Sequence, residues 1–422
     1  MTAEIALMNR TAVALAADSA TTVRYWDRGR EQVRFFEGAN KIFNISHRFP
    51  VGMMIYNASA LLGVPWEVVA KAYRDAHGND EHDTLETYVQ DFYSFIVGEK
   101  SLFPESHQHM HLVAAISDAA QRIIRVVTKE GGQNFAEASV RAFVNSEFDD
   151  FAAHVNGDPY IDGLTNEIVD SQTAPLRGEV EKALERYDEY RNVIQAVQKE
   201  KLLELAARAV FKINWTTLDV SGLVFAGFGE RQYFPQLFHF TCYGVFFGKV
   251  LCSAAPNSPV SISHVNVSAI EAFAQSEMVN TFIYGASDGA IQKIDKSHGT
   301  SIEEFANELL KTGAIAKGTD LTAAKRRAVD TFNKDVSDYL GATHARPLRN
   351  VIGMLPVDEL AELAETLISI ESLKEKVTRP TESVGGPIDV AVISKSDGFI
   401  WIKRKHYFEP SLNPRYIARR SS

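Results

Sequence analysis

Cysteine is nearly absent from this 422-residue chain: only Cys242 and Cys252 occur, each inside an apolar, strand-like stretch. Two reduced, buried thiols of a cytosolic protein are the expectation, since disulfides rarely persist in that compartment. Long hydrophobic runs are missing as well. No stretch approaches the ~18 apolar residues that a membrane helix needs. The opening residues show no basic-then-apolar design of a secretory leader, so a cytoplasmic chain without a membrane partner is expected. Basic excess is lacking too. Forty-four Lys and Arg stand against 54 Asp and Glu, a formal net charge of −10 that argues against nucleic acid as the main partner. No internal repeat or low-complexity tract occurs, and no GxxxxGK[ST]. The glycines of GFG (227–229) and VGG (384–386) lack the strand, loop and helix context of a nucleotide site and read as turns or close packing.

What is present is ordinary globular composition, with 45% apolar and 23% charged residues, in a chain long enough for two or three domains. Residues 4–8 (EIALM) and 11–17 (TAVALAA) read as two strands joined at Asn9-Arg10, where Asn tolerates positive φ. Residues 21–36 alternate around Asp27-Arg28-Gly29 as a second hairpin, and KIFNI (41–45) and VGMMIY (51–56) are two further short strands. VPWEVVAKAYRDA (64–76) has helical spacing, with Val64, Val68, Val69 and Tyr73 on one face. Strand patterns return at 218–229 and 237–254. Helices are expected over 269–285, from a capping box at Ser301 with Glu304, over 322–341, and over 357–377, where Leu360, Leu363, Ala364, Leu367 and Ile368 form a stripe. A hairpin around Ser396-Asp397-Gly398 closes the pattern at 387–408.

Between about 80 and 210 the chain is helical and charged, without a sustained heptad. The expected organisation is a discontinuous core, 1–79 and 211–408, a helical insertion over 80–210, and a polar, basic tail over 409–422. Strands first, helices in the middle and strands last suit two sheets between helical layers, an α/β (α+β) architecture in which the first and last strands can be neighbours.

Other residues read blandly. His107, His109 and His111 in SHQHMHL alternate as metal ligands on a strand would, but no carboxylate or cysteine cluster accompanies them, and a partly exposed strand or loop is expected. The run IKRKHY (402–407) reads as a solvated strand end, and Trp66 and Trp401 as core.

The front end carries the chemistry. Removal of Met1 would leave Thr2 with a hydroxyl and a free α-amine on one residue, a nucleophile with its own base. The amine's unperturbed pKa of ~7.7–8.0 suits general-base work. Asp18 ends the second strand and Lys41 opens KIFNI, so a hairpin over 2–17 returns Asp18 to the start of the chain. A lysine there would disfavour the protonated amine, and the carboxylate would hold the lysine. Without catalysis, the same pair would be a buried ion pair fixing the hairpin.

TAVALAADSATT followed by NKIFNI resembles the front of the proteasome β-subunit and HslV peptidase family, which are N-terminal-nucleophile hydrolases. Thr2 and Asp18 stand sixteen positions apart, as in that family, and Lys41 begins a K-I-x-x-I strand several residues late. SVGGPIDVAVISKSDGFIWI resembles the family's Gly-Gly segment and last hairpin. The resemblance covers about half of the chain: its two ends and the region around 220–285. It implies a four-layer αββα sandwich, to which this chain adds the large helical insertion, with Thr2, Asp18 and Lys41 as the catalytic group and no metal or organic cofactor. Where the family has a glycine donating a backbone N–H to the oxyanion, this chain reads YNASALLG, which assigns the donor to Asn57 or Ala58. Where the family has Gly-Ser-Gly, this chain leaves Ser276, and Glu382 and Ser383 stand nearest its supporting aspartate.

The function so implied is a threonine-type amide hydrolase acting on peptides, in a homo-oligomeric ring, with an ATP-dependent unfoldase as a partner. Two alternatives keep the fold: an inactive structural or partner-binding protein, favoured by the missing glycine and aspartate, and an acylase or amidase of small amides.

Overall fold

The computed structural model describes residues 3–27, 30–128, 138–316, 318–378 and 385–415. Its strands are β1 (Ala3–Asn9), β2 (Ala12–Ala17), β3 (Ala20–Asp27), β4 (Arg30–Glu37), β5 (Ile42–Asn44), β6 (Val51–Asn57), β7 (Ala60–Leu61) and β8 (Val64–Pro65). After the helical region come β9 (Ser221–Gly227), β10 (Gln236–Phe246), β11 (Lys249–Ala254), β12 (Val260–Ser261), β13 (Ser268–Ala274), β14 (Asp389–Ser394) and β15 (Gly398–Lys403). The first helices are α1 (Trp66–His77), α2 (Leu85–Gly98), α3 (Glu105–Thr128), α4 (Ala138–Gly157), α5 (Asn166–Thr173), α6 (Arg177–Leu184), α7 (Asp188–Val193) and α8 (Lys199–Val210). The later ones are α9 (Glu277–Tyr284), α10 (Asp288–Lys311), α11 (Thr322–Leu340), α12 (Arg346–Ile352) and α13 (Val357–Thr378). The protein is of mixed α+β class, and its sheets are antiparallel.

Two sheets dominate. One runs β13-β1-β2-β14-β15, the other β11-β10-β9-β6-β5. The strands β1 and β2 sit in the middle of the first sheet rather than at its edge. The second strand, not the first, neighbours β14. The period-2 alternation of strands sorts their side chains into two clusters. Ala3, Ile5 and Leu7 with Ala12, Ala14 and Ala16 pack with Val279, Ile352, Leu360, Ala364, Leu367 and Ile368 of the helices α9, α12 and α13. Ala6, Met8, Val13, Leu15 and Ala17 pack instead with Ile42, Met54, Val224, Ala226 and Leu237 of the second sheet. A third cluster joins Met53, Ile55 and Phe225 of the second sheet to Trp66, Phe92, Ile116 and Leu205 of the helices between 66 and 210. The helix-facing residues of β2, Ala12, Ala14 and Ala16, present little side-chain bulk, so α13 can lie close across that strand.

Several sequence expectations are met and others are corrected. On α1 the buried face is Trp66, Val69, Ala70 and Tyr73, whereas Val68 is exposed, because i, i+3, i+4, i+7 counted from Trp66 sets the stripe. The stretch 269–285 is not one helix. Its first part is β13, paired with β1 from Ala3↔Ala274 to Asn9↔Ser268, and this cross-strand pairing overrides the helical spacing. Ser301 starts no helix. α10 begins at Asp288 with Ser287 as its cap, and the Ser301 hydroxyl donates to Ser297 O one turn back at 2.9 Å. The alternating histidines lie on α3, neither on a strand nor in a loop, so His107 and His111 are neighbours and His109 is turned away. The tip of the β3–β4 hairpin, Arg28-Gly29, lies outside the described residues. Cys242 and Cys252 are free and face each other across β10 and β11; burial pushes the Cys252 thiol well up, so it stays protonated. Among the described residues no helix is long and apolar enough to cross a membrane.

The turn at Asn9 works through its side chain rather than through positive φ. Its Oδ1 accepts from Thr11 N (2.9 Å), Thr11 Oγ1 (2.7 Å) and Ala12 N (3.1 Å). Its Nδ2 donates to Ile352 O (3.2 Å) and Leu355 O (3.0 Å). One buried amide thus closes the first hairpin and ties it to the end of α12. Asn9→Ala is expected to lower the unfolding free energy by about 2 kcal/mol or more, read from urea denaturation midpoints, because several buried groups lose their partner.

Candidate active site

Asp18 follows β2, and Lys41 immediately precedes β5. The ladder β1–β2 brings Ala17 opposite Glu4, so the chain turns at Asp18 beside its own beginning. The amide that joins residue 3 to residue 2 donates to Asp18: Ala3 N to Oδ1 is 3.1 Å. Asp18 N donates in return to Ala3 O at 3.1 Å. Asp18 Oδ2 accepts from Gly385 N at 3.0 Å, which draws in the segment ahead of β14.

Lys41 reaches this point from the second sheet. Its Nζ makes a short hydrogen-bonded ion pair with Asp18 Oδ1 and lies 3.0 Å from Glu4 Oε1. All three side chains are buried, Asp18 and Glu4 completely and Lys41 to within 5%. An ammonium held between two carboxylates is what such burial requires, since an unpaired charge there would cost several kcal/mol. Glu4 was not singled out by sequence reasoning. The signal existed: Glu4 shares a strand face with Ala6 and Met8, and a charge on a core-facing position calls for a partner.

The remaining assigned residues distribute as follows. Thr2, Glu382 and Ser383 lie outside the described residues. Asn57 ends β6 with φ of 64°, the left-handed conformation that Asn adopts more readily than most residues. It stands two positions beyond Ile55, whose N–H donates to Lys41 O at 2.8 Å. Ala58 N already donates to Val220 O at 3.1 Å, so it can serve an oxyanion only by giving up that bond. Ser276 lies two residues past Ala274, the strand partner of Ala3, and immediately precedes α9 without a side-chain capping bond. Glu371 of α13 is buried and accepts from Met278 N at 2.8 Å, holding the first turn of α9 beside the same sheet end. Burial pushes the Glu371 carboxyl up, and the hydrogen bonds and Lys374 oppose that shift. Glu371 continues the α13 stripe past Ile368, where a carboxylate on an apolar stripe was the overlooked signal.

A second polar pair adjoins Glu4. Tyr56 stacks on Phe273, which is paired with Glu4, and the Tyr56 hydroxyl bonds His239 Nε2. Burial, then the charge of Glu4, push the phenol up to about 12, so it stays protonated. Burial holds the His239 imidazole below its ordinary range, so it favours the neutral ring. Gly222 makes room for this ring, since a Cβ there would lie 1.9 Å from Tyr56. A cavity of about 460 Å³ borders the site through Asn40 and Pro387, lined also by Glu37, Lys71, Arg404 and Tyr407.

Lys41→Met should cost about 3–5 kcal/mol in chemical denaturation, by leaving two buried carboxylates without their ammonium. Combining it with Asp18→Asn and Glu4→Gln should recover part of that loss. His239 yields a pH dependence. Its folded value lies below the unfolded value of ~6.5, so its contribution is complete above that pH and is lost as pH falls through the folded value. The urea midpoint should therefore fall more steeply for wild type than for His239→Gln on acidification from about pH 7.5 to about pH 5.

No protein-family model matches the chain, and no curated protein does. Two solved structures align along it at low similarity. One, an Anbu (Gly-1) mutant from Hyphomicrobium sp. strain MC1, has a TM-score of 0.27 at 9% identity, covering 100% of this chain and 95% of that one. The other, Anbu (ancestral beta-subunit) from Yersinia bercovieri, has a TM-score of 0.27 at 8% identity, covering 100% and 97%. Likeness at that level carries no argument about fold or function. The resemblance to the proteasome β-subunit and HslV family is therefore corrected: with no matching family model, three residues at suggestive spacing and a run of ordinary strand patterns do not establish membership. What stands is the chain's own geometry around Ala3.

Proposed function

We propose that this chain is a threonine-type amide hydrolase in which Thr2, freed by removal of Met1, attacks with its own α-amine as base. The observation that carries this reading is the hydrogen bond from Ala3 N to Asp18, with Lys41 bonded to the same carboxylate oxygen. The residue after Thr2 is thereby pinned beside a buried ammonium, so a nucleophile at position 2 would work within reach of fixed charge.

In this mechanism the Thr2 hydroxyl adds to the amide carbonyl as its proton passes to the α-amine. Lys41 favours the unprotonated amine and steadies developing negative charge; Asp18 and Glu4 hold Lys41 in place. The amine then returns the proton to the leaving nitrogen, and water hydrolyses the Thr2 ester. A backbone donor near Asn57 would receive the oxyanion. No metal or organic cofactor takes part in these steps. Peptide is the favoured substrate, with the adjoining cavity taking a neighbouring side chain, since its volume is that of a small-molecule site. We read the three apolar clusters as the spaces of a helix–sheet–sheet–helix sandwich, and the helices between 80 and 210 as an insertion into it. Ring assembly and an unfoldase partner rest on the family resemblance alone and are not carried into the proposal.

A second reading has an observation of its own. Ala58 N–H is engaged by Val220 O, so one of the two expected oxyanion donors is occupied, as an inactive partner-binding protein of the same fold would allow.

Intact-mass measurement of the native protein should show loss of Met1 and a stable adduct with an amine- and hydroxyl-directed electrophile. Thr2→Ala should abolish the adduct and lower hydrolysis of a fluorogenic peptide panel by about 10³-fold or more. Retained Met1, or wild-type turnover by Thr2→Ala, overturns the nucleophile. Turnover of small amides without peptide cleavage would move the substrate class and leave the nucleophile standing.

A further inference from the structure

Away from Ala3, the corner between α1 and α2 gathers two imidazoles and two carboxylates. His77 is the last residue of α1, Asp80 and His82 lie in the loop that follows, and Asp91 is on α2. The ligand atoms of His77, Asp80 and Asp91 all lie within 4.8 Å of one another. His77 Nδ1 is 2.9 Å from Asp80 Oδ2 and 3.6 Å from Asp91 Oδ2. His82 Nε2 approaches the same Asp91 oxygen at 3.5 Å.

These spacings have a chemical meaning. Two donors each ~2.0–2.1 Å from one tetrahedral zinc ion stand about 3.3–3.4 Å apart. Both histidine nitrogens keep nearly that separation from Asp91 Oδ2, longer than a hydrogen bond prefers. His82 Nε2 is a buried atom that makes no hydrogen bond, although it points at a carboxylate. A nitrogen buried without a partner is costly unless something else satisfies it.

The groups around the cluster hold it in shape. The Tyr73 hydroxyl donates to Asp91 Oδ2 at 2.8 Å. A donor behind a ligating carboxylate is a common second layer of metal sites. The His77 ring stacks on Tyr73 at 5.4 Å, and the His82 ring stands edge-on to Tyr88 at 4.6 Å. Gly78 permits the tight exit from α1, because a Cβ there would meet Arg74 O at 2.3 Å. The loop is anchored further by Glu230 N to His82 O (2.9 Å) and Arg231 N to Asp83 O (3.1 Å). The cluster opens to solvent through Asp80, which is half exposed.

We propose that His77, Asp80, His82 and Asp91 form a binding site for a divalent transition-metal ion of the zinc class, which fastens the α1–α2 corner. The set is two nitrogens and two oxygens, which suits Zn²⁺ or Co²⁺ rather than Ca²⁺ or Mg²⁺. Binding would draw His77 Nδ1 away from its contact with Asp80 and bring all four donors onto the ion. The site is independent of the hydrolase reading and contributes nothing to that chemistry.

The test uses the full chain, stripped with chelator and titrated with Zn²⁺ by calorimetry and with Co²⁺ by visible absorption. Wild type should take up one equivalent, show the bands of tetrahedral Co²⁺, and gain thermal stability with the ion. His82→Gln and Asp80→Asn should each weaken Zn²⁺ binding by about 10-fold or more, with unchanged circular dichroism. His107→Gln, on α3, should bind as wild type does. Asp80 is exposed enough that its variant tests binding even if His82→Gln misfolds. Zn²⁺ binding no tighter in wild type than in His77→Gln/His82→Gln, or untouched by Asp80→Asn, overturns the site.

Discussion

The lysine between two carboxylates sets the terms for everything near the start of this chain. Lys41 comes from the second sheet, Asp18 and Glu4 from the first, and all three are buried. Placed in water such a contact would be worth little; buried, each charge depends on the others. The contact therefore fixes how the edge of one sheet meets the other, and it does so where the chain begins. Asp18 extends the arrangement by taking two backbone amides, from Ala3 and from Gly385, so three distant segments share one carboxylate.

Around that contact the fold is arranged to keep the opening strand rigid. Termini are ordinarily the loosest parts of a domain. Here β1 is paired on both sides, with β13 and β2, and every residue of it is buried. Ala3, Ile5 and Leu7 on one of its faces meet the helices, and Ala6 and Met8 on the other meet the second sheet. Glu371 adds a carboxylate from α13 to the first turn of α9, at the end of the strand that pairs with Ala3. The result is an opening strand held in register by β2 and β13 and packed on both faces.

The helical region is a different kind of structure. Its apolar faces run into one cluster with the second sheet, from Trp66 through Phe92 to Leu205, so it is packed on rather than tethered. Its charged surface and short helices α5 to α7 reflect breaks that periodicity alone did not mark, at Glu185–Tyr187 and Ile194–Gln198. Its first corner carries the His77–Asp91 cluster, where side chains from a helix end, a loop and a second helix converge.

The sequence by itself determined the local elements whose pattern is strong: the strands of the first hairpin, the apolar stripe of α13, the helix after Val64, and the return of Asp18 to the side of Ala3. Each follows from a short-range rule, either a side-chain period or a hairpin that must return on itself. It also held the marks of Glu4 and Glu371, charges on core-facing positions that called for partners. Only the tertiary structure decided the rest. Residues 268–274 are a strand because β1 offers a full ladder of hydrogen bonds, a choice made by a segment some 260 positions away. Ser301 sits inside a helix because a hydroxyl can bond back one turn as well as cap. Asn9 closes its turn through an amide that also reaches α12. Such outcomes depend on partners brought together by folding, and no window of neighbouring residues contains them.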